Sequence, residues 1–78
     1  MIILGDIGNT ETKICLVNNN DKIIKKIVIP SKGKKLNLLN KHFKKIDFSS
    51  IDKILFCSVV PSTYKELKRY FYNKTKVR

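Results

Sequence analysis

Apolar and polar positions along the chain repeat with two different periods, and the change of period divides it into elements. Ile2, Ile3, Leu4 and Ile7 crowd the start of the chain, and their largely β-branched character predicts a buried strand over 1–7. Gly8-Asn9-Thr10 predicts a turn, because Gly accepts positive φ freely and Asn accepts it better than most residues. Over 11–18, Thr12, Ile14 and Leu16 alternate with Glu11, Lys13 and Cys15, the period of a strand with two distinct faces. Asn18-Asn19-Asn20-Asp21 predicts a second turn, and 22–29 a third strand ended by Pro30. The opening of the chain therefore reads as an antiparallel three-strand meander.

A helical period takes over after the Ser31-Lys32-Gly33 loop. Leu36, Leu39, Phe43 and Ile46 share one helix face, with Lys41, Lys44 and Lys45 away from it. A connector at 47–50 leads to 51–60, where Ile54, Leu55, Phe56, Val59 and Val60 are nearly continuous; this predicts a central strand covered on both faces. Pro61 suits the first turn of a second helix. Thr63 and Glu66 have the spacing of a capping box, and Tyr64, Leu67 and Phe71 form an apolar stripe. The predicted order is β-β-β-α-β-α, an α/β fold on a mixed sheet. A central strand followed by a helix ordinarily leads to another parallel strand, so the pattern predicts more sheet beyond Arg78 and an incomplete domain over 1–78.

Composition narrows the class of protein. The 78 residues are 42% hydrophobic and 29% charged, which fits a small folded domain rather than a disordered tract. The net charge of +11 raises nucleic acid as a partner. The excess is almost all Lys, however, and Arg is the residue whose planar fork suits specific phosphate and base contacts. Nine lysines from Lys22 to Lys45, with no Asp or Glu among them, span a strand, a loop and a helix, which reads as a solvated surface rather than an anionic docking site. Composition thus argues against a nucleic-acid partner. No stretch approaches transmembrane length. The start of the chain lacks a secretory signal pattern, and Cys15 and Cys57 read as reduced, apolar packing groups, so the expected compartment is cytoplasmic. With His42 alone beside them they make no zinc site.

Candidate chemistry concentrates in Asp6-Ile7-Gly8-Asn9-Thr10-Glu11-Thr12-Lys13. Asp6 is a carboxylate at the end of a strand expected to be buried, and a buried carboxylate needs a partner or a cation. Magnesium is commonly held by one or two carboxylates together with substrate phosphates. Gly8 permits close backbone approach, successive turn amides can cradle an anion, Asn9 and Thr10 add neutral donors, and Lys13 adds a cation on the next strand. Phosphoryl transfer uses this combination of positioning, metal and countercharge. Turn chemistry by itself favours the plainer reading, a hairpin with an exposed Asp beside it.

Asp6-Ile7-Gly8-Asn9-Thr10 followed by Lys13 resembles the first phosphate motif of the superfamily that joins acetate kinase, sugar kinases, heat-shock chaperones and actin. The Asn-Thr pair after the Gly is most similar to type III pantothenate kinase. Cys57-Ser58-Val59-Val60-Pro61 is similar to that family's Ser-Val-Val-Pro segment, which ends a central strand and starts a helix. The resemblance implies the first part of a ribonuclease-H-like ATP-binding domain. It implies that Asp6 helps hold the magnesium of ATP, that Gly8, Asn9 and Thr10 contact ATP phosphates, that Lys13 adds countercharge, and that Ser58 and Pro61 shape the strand-to-helix turn. It further implies ATP-dependent phosphorylation of the primary hydroxyl of pantothenate towards coenzyme A, a monovalent cation (potassium or ammonium), and a homodimer of the longer protein. The family's Gly-x-Asp-Arg segment, with its general base, has no counterpart here, and neither Asp47 nor Asp52 sits in that context. No catalytic residue is therefore assigned within 1–78; the base is expected downstream of Arg78 and the chain alone is expected to be inactive. Two other readings of the motif remain: a superfamily kinase with another acceptor, and a non-catalytic nucleotide-binding regulator on the same fold. Tyr70 and Tyr72 are expected to face the absent remainder of the protein, and His42 to lie on the surface.

Overall fold

A computed structural model describes residues 1–33 and 35–75 of the protein. Strands β1 (Ile2–Ile7), β2 (Glu11–Val17) and β3 (Ile23–Pro30) are followed by helix α1 (Lys35–His42), a 3₁₀ turn (Phe48–Ser50), strand β4 (Lys53–Ser58) and helix α2 (Pro61–Thr75). The sheet order is β3-β2-β1-β4, with β1 antiparallel to β2, β2 antiparallel to β3, and β1 parallel to β4. This is the predicted β-β-β-α-β-α order, the arrangement expected of the opening part of a ribonuclease-H-like domain. The path from β3 to β4 is long because it crosses β2 and β1 to reach the opposite edge, and β4 runs parallel to β3, so no tight turn can join them.

The alternation read from β2 decides where the core lies. Ile14 and Leu16 of β2 face the same side as Ile3 and Ile7 of β1 and Ile27 and Ile29 of β3. Leu39, Phe43, Leu67 and Phe71 close over them from α1, the turn after it, and α2. Phe43 and Phe71 meet edge to face at 5.5 Å, and Tyr70 meets Phe71 the same way at 5.1 Å. Each fully buried Leu or Phe contributes about 1.5–3 kcal/mol relative to exposure.

Gly5 also lies on the covered face. A Cβ there would come within 2.2 Å of the Phe56 ring, so the ring of β4 occupies the space that Gly5 leaves open. Phe56 in turn touches Tyr64 and Phe71 at 6.0 Å each. An isolated strand Gly otherwise weakens a strand; here its missing side chain admits an aromatic.

Several sequence expectations are corrected. β4 is an edge strand of the described sheet, and only one of its faces is covered; Leu55 on the other face is 51% exposed, and Val59, just beyond the strand, 67%. Its continuous apolar run therefore does not mark a strand covered on both sides here. α1 ends at His42 instead of reaching Ile46, because after Phe43 N–H bonds to the Leu39 carbonyl the next bond, Ile46 to Phe43, is a tighter turn. The capping spacing does not mark the helix start: α2 begins at Pro61, so Thr63 is already inside the helix, and its hydroxyl donates to the Ser31 carbonyl. Tyr70 is half-buried, not turned outward, and donates its hydroxyl to Asn40 Oδ1 at 2.8 Å; burial pushes its phenol pKa up. Tyr72 and His42 are likewise partly buried. No described helix is long and apolar enough to cross a membrane.

Candidate functional site

The C-terminal ends of the parallel strands β1 and β4 lie side by side, which is where open α/β sheets ordinarily take ligands. Val59 N–H donates to the Ile7 carbonyl at 3.1 Å and joins the two chain exits. On the β4 side, Ser58 Oγ accepts from Val60 N–H at 3.0 Å, and Pro61 starts α2, so both residues shape the strand-to-helix turn as expected. On the β1 side, Gly8 N–H donates to the Glu11 carbonyl at 2.9 Å and closes the hairpin turn.

That turn differs from expectation in one respect. Neither Gly8 nor Asn9 has positive φ; among the described residues Asp21 and Gly33 do. Gly8 is favoured for space instead, since a Cβ would stand 3.1 Å from the Glu11 carbonyl oxygen. In the second turn, Asp21 takes the left-handed conformation while Asn18 Oδ1 accepts from the N–H groups of Asn20 and Lys22.

Behind the first turn lies a closed set of hydroxyls that sequence reasoning passed over. Ser31 is fully buried, as is Thr12, and Thr63 nearly so. Ser31 Oγ donates to the Gly8 carbonyl at 2.6 Å and lies 2.9 Å from Thr12 Oγ1. A serine hydroxyl has one proton, so Thr12 is the donor to Ser31. Ser31 N–H donates to the Thr10 carbonyl, and Thr63 Oγ1 donates to the Ser31 carbonyl, both at 2.9 Å. The one available sequence signal was Thr12, a polar residue on an otherwise aliphatic strand face.

On the opposite side of the turn, Asp6, Gly8, Thr10, Glu11 and Lys13 line a hollow of about 370 Å³. Asp6 and Lys13 are direct cross-strand partners, and Cys57 is Asp6's partner on β4. Four of the five sequence-predicted residues are thus brought together. Asn9 is exposed but does not line the hollow. Glu11 does line it and was not predicted; its place two residues before Lys13, on the same strand face, was the available signal. Asp6 is exposed rather than buried, because it belongs to the sheet face that no helix covers. Its charge therefore needs no partner to offset desolvation. What remains is an accessible carboxylate beside the turn, with Lys13 as its cross-strand partner. No cluster of three or more His, Cys, Asp or Glu stands among the described residues, so a cation here would draw on Asp6 with water or ligand oxygens.

The chain matches the family model for type III pantothenate kinase over residues 2–78. The chain belongs to the type III pantothenate kinase family. It is also similar to a type III pantothenate kinase of Pelagibacter ubique (strain HTCC1062), 46% identical over 80 residues; the match covers all of this chain and 32% of that protein. The chain thus spans about a third of that relative's length.

Within this family member, the remaining singled-out residues have plain structural settings. Lys22, Lys26, Lys32, Lys41, Lys44 and Lys45 are exposed across β3, the following loop and the α1 region; Lys34 lies outside the described residues. Cys15 is partly buried, whereas Cys57 is exposed on the open sheet face and is not the packed group expected. Asp52 accepts from the Met1 ammonium at 2.9 Å, and Asp47 caps the 3₁₀ turn through Ser49.

Proposed function

We propose that this chain is the phosphate-binding part of a kinase that transfers the terminal phosphoryl group of ATP to the primary hydroxyl of pantothenate, the entry to coenzyme A synthesis. The observation that carries the reading is the hollow at the end of β1, where Asp6, Gly8, Thr10 and Lys13 converge. Lys13 opposes Asp6 across the strands, so positive countercharge stands beside a carboxylate able to hold a hydrated cation. The ATP phosphates sit against the turn formed by Gly8, Asn9 and Thr10. When bound, magnesium supplies charge neutralisation on the phosphoryl oxygens. Asp6 holds it through water or directly; Lys13 draws the phosphates towards the sheet. A potassium or ammonium ion and a cytoplasmic homodimer of the longer protein complete the proposal. The general base is supplied from outside residues 1–78, so the chain alone transfers no phosphate.

The test is turnover of pantothenate with ATP by the gene's full product, beside an Asp6→Asn variant. Loss of turnover on the order of 100-fold or more, at an unchanged melting temperature, supports the reading, since the lost term is charge stabilisation in the transition state. A wild-type protein that ignores pantothenate, or a variant of normal activity, overturns it.

A further inference from the structure

We infer that Ser31 is a positioning residue for the phosphate-binding turn, and that it acts by aiming the Asn9 N–H. The inference rests on the phosphate-binding reading proposed above. Ser31 lies far from the turn in sequence, at the end of β3, yet it holds both arms of the turn. Its hydroxyl donates to the Gly8 carbonyl at 2.6 Å, and its N–H donates to the Thr10 carbonyl at 2.9 Å.

Peptide planarity converts these bonds into direction. In a trans peptide the carbonyl of one residue and the N–H of the next point opposite ways. No described peptide bond is cis. A Gly8 carbonyl drawn in towards Ser31 therefore turns the Asn9 N–H away from the buried hydroxyls. An oriented backbone amide is the kind of donor that binds phosphate. The second bond, at Thr10, keeps the other arm from rotating to undo the first.

Ser31 is itself held from two sides. Thr12 Oγ1 donates to its hydroxyl, which leaves the Ser31 proton committed to Gly8, and Thr63 on α2 donates to its carbonyl. All three side chains are buried, and no buried side-chain polar atom among the described residues lacks a partner. Water is thus kept from competing for the Gly8 carbonyl from this side.

The experiment uses nitrogen-15 spectra of the gene's full product titrated with ATP and magnesium. Two variants are compared with wild type. Thr12→Val removes a buried hydroxyl but leaves Ser31 bonded to Gly8. The double variant Ser31→Ala with Thr12→Val removes both hydroxyls of the buried pair together, so that neither is stranded and the Gly8 carbonyl loses its donor. Expected is affinity within about twofold of wild type for Thr12→Val and about tenfold weaker for the double variant, the effect of misaiming a hydrogen bond to a charged ligand. The Asn9 amide should also shift and exchange faster in the double variant without ligand, while amides of β1 keep their protection. Equal affinity and an unchanged Asn9 amide in both variants, against a wild type that responds to the nucleotide, would overturn the role of Ser31 alone. A full-length wild-type protein that shows no response to the nucleotide overturns the phosphate-binding reading, and the role of Ser31 towards phosphate with it.

Discussion

On the helix-covered face of the sheet, Ile3, Ile7, Ile14, Leu16, Ile27 and Ile29 are all at most 5% exposed. On the opposite face, β1 and β2 present Leu4, Asp6, Lys13 and Cys15, and β4 presents Leu55 and Cys57, none of them buried. The strands alternate between the two sets residue by residue, so one stretch of backbone serves both. The covered face holds the fold through apolar area removed from water. The open face carries charge and chemistry at its C-terminal end, around Asp6 and Lys13, and apolar groups further back at Leu4 and Leu55. The difference teaches that folding and ligand contact are assigned to alternate residues, so a change on one face leaves the other largely intact.

The largest test of this division is a matched pair. Phe71→Ala removes a fully buried ring at the centre of the aromatic cluster and should cost about 3–5 kcal/mol in denaturant unfolding. A domain this small has little reserve, so the variant should be mostly unfolded at 25 °C. Leu55→Ser, half-exposed on the open face, should change stability by no more than about 0.5 kcal/mol. Equal losses from the two would abolish the distinction between the faces.

Gly5→Ala sharpens the comparison at a site where a single methyl group meets the covered side. Overpacking against Phe56 should cost about 1–3 kcal/mol. Combining it with Phe56→Leu should restore part of the loss, because the two positions share one space. Strictly additive losses in the chemical melts would show that the ring does not occupy that space.

The smallest effect belongs to neither face. Asp47 is fully exposed, and its pKa is lowered chiefly by the Ser49 hydroxyl, then by the Ser49 N–H. A carboxyl with a folded pKa below its unfolded value stabilises the fold at pH above that unfolded value. The contribution is lost as pH falls through the folded pKa. Asp47→Asn should therefore melt slightly lower than wild type at pH 7, and the two curves should converge in strong acid. A gap that stays constant from pH 7 into acid would show that the charge contributes nothing.

Much of the fold was legible because its signals are local. Alternation at Thr12, Ile14 and Leu16 marked a strand face, the spacing of Leu39 and Phe43 marked a helix, and Pro61 marked where α2 begins. The candidate site was legible as residue types in a turn: Asp6, Gly8, Thr10 and Lys13 do line one hollow. Local signals misled where the answer depended on neighbours. Asp6 was expected to be buried because the residues around it are apolar, yet strand alternation places it on a face that nothing in the described structure covers. Thr63 had capping spacing, but its hydroxyl is taken by Ser31, a partner 32 residues away.

By itself, then, the sequence determined the order of elements, the antiparallel opening, the inward faces of β2 and α2 and the motif that places the chain in its family. Hydrophobic periodicity and turn chemistry act over a few residues, so they can be read along the chain. Tertiary structure alone decided that Gly5 makes room for Phe56, that β4 stands at the edge of the described sheet, that Glu11 joins the hollow, and that Ser31 fixes the turn from β3. Each of these depends on which residues meet across strands. Such meetings follow from register and packing, which link positions far apart in the chain and leave no mark at either position alone.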